Sequence, residues 1–159
     1  MTATRNPTEI TAPPGTPFLD VVREFEAPPA RVFAAHTDPA LVEQWLGPCD
    51  LQIRIERWDA QSGGGYQFVH HRGADFEAHF RGVYHTVRPS ELIVQTFEFL
   101  GAPDSVCIET LYLDDLGGRT RLRQHSVFQT VEARDAAVES GMNAGITESM
   151  DRLAELLAG

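Results

Sequence analysis

The 159-residue chain contains no lysine; all 13 of its basic residues are arginine. That absence excludes a Schiff-base lysine, a pyridoxal-phosphate lysine and a P-loop lysine, because each needs a primary amine. Cysteine is scarce too. Cys49 and Cys107 lie far apart and form no C-x-x-C pair, so they read as isolated thiols in a reducing compartment. Long hydrophobic runs are missing: no apolar stretch reaches the roughly 18 residues that a membrane-spanning helix needs. The opening Met1-Thr2-Ala3-Thr4-Arg5-Asn6 has no apolar core of a signal peptide. These absences predict a soluble, cytoplasmic protein with no membrane partner.

Positive charge is in deficit. Against 13 basic residues stand 23 acidic ones, a net charge of −10. Such a chain repels phosphate backbones, so no nucleic-acid partner is expected. Arg119, Arg121 and Arg123 are the nearest thing to a basic patch, and their alternation reads as one solvated strand face.

Familiar catalytic signatures are also absent. There is no G-x-S-x-G elbow. Gly63-Gly64-Gly65 joins two strands rather than a strand and a helix, so it reads as a hairpin turn. The six histidines lack metal-ligand spacing. His70 and His71 are neighbours on a strand and point to opposite faces. No metal and no cofactor is implied.

What is present suits one domain with a sizeable core, since 42% of residues are hydrophobic and 23% charged. Residues 1–17, rich in Pro, Thr and Ala, read as a flexible N-terminal arm, and 18–159 as the domain. Phe18–Phe25 reads as a strand. Pro28-Pro29 and Asp38-Pro39 then open two short helices. Six more strands follow at period two, joined by turns such as Gly101-Ala102-Pro103-Asp104 and Asp115-Leu116-Gly117-Gly118. Glu132–Leu157 reads as one long helix. Met142, Ile146, Met150, Leu153 and Leu157 form its apolar stripe, and Thr130 its N-cap. The expectation is an α+β fold: a seven-stranded antiparallel sheet curved round a long C-terminal helix, with two short helices after the first strand.

Four stretches carry a family resemblance. Trp45-Leu46-Gly47-Pro48 resembles the W-W-G-P of the activator-of-Hsp90-ATPase-homologue-1-like family, part of the START/Bet v 1-like (SRPBCC) superfamily. Asp59-Ala60-Gln61-Ser62-Gly63-Gly64-Gly65-Tyr66 resembles its D-x-R-P-G-G-x-Y turn. Gly82-Val83-Tyr84 followed by Val87-Arg88-Pro89-Ser90-Glu91-Leu92-Ile93 is similar to its G-x-Y-x-x-V-x-P-P-E-R-L-V stretch. The closing run from Glu132 to Leu153 is similar to the family ending. The resemblance covers about residues 18–158 and implies the helix-grip fold. Leu46, Gln61 and Ile146 depart from residues common in the family.

A sheet gripping a helix leaves space between them, the candidate ligand site. Strand alternation and the helix stripe assign Trp45, Phe68, His70, Phe80, Tyr84, Phe97, Glu109, Gln124, Met142 and Ile146 to its lining. His70, Glu109, Gln124 and Ser126 are polar groups on an inward face, and burying them bare costs about 1–3 kcal/mol each. They pair with one another and with water, or they face a ligand; the sequence leaves both open. A bulge in that strand would turn Glu109 outward.

Three functions compete. The first is binding of a small, largely apolar or aromatic molecule in a cavity of several hundred Å³. The second is a cyclase, dehydratase or hydrolase with His70 and Glu109 as acid and base, which requires both near one substrate atom. The third, implied by the resemblance, is partner binding like that of the Hsp90 co-chaperone. That needs an apolar patch on the convex face, where Glu77, His79, Arg81 and His85 are expected instead. The sequence favours the first and leaves a homodimer open.

Overall fold

A computed structural model describes residues 6–159. The chain folds as α+β. One antiparallel sheet has the order β1-β2-β8-β7-β6-β5-β4-β3. Its strands are β1 (Glu9–Thr11), β2 (Phe18–Phe25), β3 (Gln52–Trp58), β4 (Gly65–Arg72), β5 (Phe76–Arg88), β6 (Leu92–Phe99), β7 (Val106–Asp115) and β8 (Thr120–Val127). Four helices complete it: α1 (Pro29–Thr37), α2 (Pro39–Val42), α3 (Val131–Glu139) and α4 (Met142–Ala158).

The sheet has eight strands, one more than the sequence suggests. The extra strand lies within the segment read as an arm, where Glu9, Ile10 and Thr11 pair with Val22, Val21 and Asp20. Three residues among prolines give no readable alternation, so tertiary pairing creates this strand. Arg134 holds the following turn down, donating to the carbonyls of Pro13 and Phe18. Residues 1–5 of that arm lie outside the described residues.

The expected long helix is two helices. Gly141 takes φ +93°, a left-handed conformation that a helix interior does not tolerate, and the chain breaks there into α3 and α4. Thr130 caps α3, its hydroxyl accepting from the Ala133 N–H. Asp38 caps α2 by accepting from the Ala40 N–H. α2 is only one turn long, shorter than its apolar pattern suggests.

The core fills the concave side of the sheet. Phe25, Leu111, Leu113 and Leu122 meet Met150, Leu153 and Leu157 of α4 there. Trp45 joins them and donates its indole N–H to the Ala35 carbonyl at 2.8 Å, fixing the turn after α2 against α1. Opposite this core the sheet is wet. Arg119 pairs with Glu24 and Glu26, and Arg123 with Asp114, as expected of a solvated face.

Candidate functional site

Glu109 sits on β7 in the middle of the concave face. Its neighbours in register are Gln95 on β6 and Ser126 on β8. The carboxyl is buried, and both oxygens accept from neutral amides: Oε1 from Gln95 Nε2 at 2.9 Å and Oε2 from Gln124 Nε2 at 3.2 Å. The Gln124 amide also reaches Ser126 Oγ at 3.4 Å. Among the described residues no cation pairs with this carboxyl. Burial therefore dominates and pushes its pKa up to about 7, against the smaller opposing effect of the Gln95 bond.

Aromatic rings line the sheet beside it. Phe80 stacks on Phe68 at 5.0 Å and on Phe97 at 5.5 Å between centroids. Tyr66 and Tyr84 lie 5.4 Å apart. Tyr66 donates its hydroxyl to the Thr96 carbonyl at 2.6 Å. Burial, reinforced by the Glu109 charge, holds both phenols above their ordinary range, so they stay neutral.

The sequence places Glu109, Gln124 and Ser126 together correctly, and no bulge disturbs β7. It overlooks Gln95. The missed signal is parity: Gln95 shares the parity of Ile93 and Phe97 and falls directly opposite Glu109. His70 belongs elsewhere. It lies on β4, three strands from β7, which is about 14 Å at the usual strand spacing. Its partner on β5 is Ala78, whereas the Glu109 row crosses β5 near Tyr84. His70 and Glu109 therefore do not address one substrate atom, and an acid–base pair of these two is excluded.

His70 packs edge-on against Phe68 and Phe80. Burial lowers its pKa. The loop after α2 presses on it and is stitched to α4: the Gly47 N–H donates to Ser149 Oγ, and Arg152 donates to the Gly47 carbonyl. Trp45 is wholly engaged in the core, with its one polar atom satisfied.

The inward face is not sealed. Gln95, Phe97, Gln124, Met142 and Ile146 all keep partial exposure. A Cβ at Gly145 would meet nothing within 4 Å, so this helix does not crowd the sheet there. No cavity of several hundred Å³ stands out at this place. The depressions that do stand out among the described residues lie elsewhere. One, of about 130 Å³, is lined by Arg31, Ala34, Ala35, Leu41, Leu156 and Leu157. Another, of about 20 Å³, lies by Phe25 and Leu157. On the convex face Val83 and Ile108 are exposed, with Thr96 between their strands.

Among the described residues no three His, Cys, Asp or Glu side chains converge as metal ligands. None of their helices is long and apolar enough to cross a membrane. Cys49 is exposed and Cys107 buried, both as free thiols.

A curved antiparallel sheet holding a C-terminal helix defines the helix-grip class. Within it, the family described as Activator of Hsp90 ATPase homolog 1-like protein matches residues 26–158, and the chain belongs to that family. No curated protein matches the chain. Among solved structures it is similar to a protein from Arthrobacter aurescens, with TM-score 0.87 and 24% identity over 94% of this chain and 91% of that one. A protein from Rhodobacter sphaeroides gives TM-score 0.84 and 27% identity over 94% and 99%. DynU16, a protein of the dynemicin biosynthetic locus, gives TM-score 0.69 and 22% identity. That match covers 89% of this chain and 47% of DynU16.

Proposed function

We propose that the concave face between the sheet and α4 binds a small, largely apolar or aromatic molecule. The observation that carries this reading is the Glu109 carboxyl: a buried acid on an apolar face, held by Gln95 and Gln124, at the foot of a partly exposed aromatic wall. Phe68, Phe80, Phe97 and Tyr84 supply apolar area, Glu109 and Gln124 fix orientation, and Met142 and Ile146 form the helix side. His70 closes the far end beside Phe80. Trp45 supports the recess from the core. The helix-grip fold is consistent with such a role.

Native mass spectrometry of the protein as purified, repeated after denaturation, tests the reading. A reproducible extra mass that is lost on denaturation is the expected result. Its retention should weaken in Phe80→Ala and in Glu109→Leu. An unliganded protein that also fails to bind small aromatic probes overturns the reading.

A further inference from the structure

We infer that the molecule taken up beside Glu109 carries a positive charge: a protonated amine on an apolar or aromatic body. This rests on the binding reading above and names the chemistry of its ligand.

Among the described residues the site lacks a countercharge. Both Glu109 oxygens are met by amide N–H groups, which satisfy hydrogen bonds but bring no countercharge. The ionisable groups that feel this carboxyl are Tyr66 on β4, Tyr84 on β5 and Cys107 on β7. All three are acids held neutral by burial, so none supplies a cation. The charged residues of α4 nearest the sheet are engaged elsewhere. Glu148 accepts from the Cys49 N–H, Asp151 from Arg23, and Arg152 donates to the Gln44 and Gly47 carbonyls. An ionised Glu109 is thus a buried charge without a partner, which is costly in a low-dielectric site.

A ligand ammonium supplies that partner. It adds a charge-assisted bond where water is largely excluded. The rings of Phe80, Phe97 and Tyr84 supply apolar area for the body that carries the charge. The net charge of −10 favours approach of cations over anions. The carboxyl titrates near neutrality, so a nearby ammonium is enough to draw it into the ionised form.

Three naphthalene probes of one shape test this: 1-naphthylmethylamine, 1-naphthalenemethanol and 1-naphthoic acid. Their affinities are measured by calorimetry on the full chain and on Glu109→Gln. At about pH 8 the amine should bind roughly tenfold more tightly than the alcohol, and the acid most weakly. The margin should shrink toward about pH 5.5, where Glu109 is protonated while the amine keeps its charge. Glu109→Gln should remove the margin, so that amine and alcohol bind alike. Equal binding of amine and alcohol, or a margin that survives Glu109→Gln, overturns the amine assignment while the binding reading stands. If none of the three binds, both fail.

Discussion

Gly47 lies against the imidazole of His70, so close that a Cβ at Gly47 would overlap the ring. Its φ of +96° also suits glycine alone. Two independent reasons therefore forbid a side chain. Gly47→Ala should lower stability by about 2–3 kcal/mol, or roughly 5–10 °C in Tm for a domain of this size. Thermal unfolding measures it. Adding His70→Ala should recover the part due to overlap and leave the backbone part. A double variant no better than Gly47→Ala would show that the ring plays no role.

Glu109 makes stability fall with rising pH. Its carboxyl titrates at about 7 in the fold against 4.5 for an unperturbed glutamate. The folded state holds the proton more tightly, so between those values it binds more protons than the unfolded state. Stability then declines as pH rises through that window, by on the order of 3 kcal/mol in total. Glu109→Gln should remove this decline. Denaturant unfolding at about pH 5 and about pH 8 should show the variant gaining on the parent only at the higher pH.

Gly141 and Gly145 have the spacing of a packing motif but opposite roles. Gly141 sits at φ +93° and breaks the helix, so Gly141→Ala should cost about 1 kcal/mol. Gly145 lies inside α4, and a Cβ there meets nothing within 4 Å. Gly145→Ala should therefore stabilise by about 0.5–1 kcal/mol. Equal signs for the two, measured by chemical unfolding, would contradict this division.

Arg134 is 4% exposed and clamps the start of the chain to the sheet. Arg134→Met leaves the Pro13 and Phe18 carbonyls without these donors, at about 1–3 kcal/mol. Amide hydrogen exchange at Glu9–Thr11 should speed up more than exchange at β7. Uniform acceleration would mean that the residue supports the whole core instead.

Strand alternation made most of the sheet legible, because β2 and β4–β8 have one wet face and one apolar face. Phe76–His85 reads as strand from its alternation, but the register shift between Tyr84 and Thr86 and the last three residues of β5 do not. Beyond alternation the sequence says little. Glu9–Thr11 is a strand only because Asp20, Val21 and Val22 offer it an edge. The break at Ser140-Gly141 is hidden because the apolar stripe begins only at Met142, so it does not mark where the preceding helix ends. At the site, parity locates Glu109 and Gln124, but not the diagonal offset that separates His70. Distance across a curved sheet depends on strand order, which no single strand encodes. How much of the inward face stays exposed depends on how far α4 stands from the sheet, and residue type does not record that either.

The strand order has a consequence for how the chain comes together. β3 to β8 are joined in succession by hairpins, so each pairs soon after its predecessor is made. β2 is different, since Phe18 finds Val127 more than a hundred residues later. Closing so long a loop is entropically slow compared with closing a hairpin. The meander therefore assembles first, with Leu19, Val21 and Phe25 still lacking their β8 neighbours. A nascent chain ending before Thr120 carries this greasy strand with only the three residues of β1 beside it. The ribosome must release β8 before β2 gains a strand on its other edge.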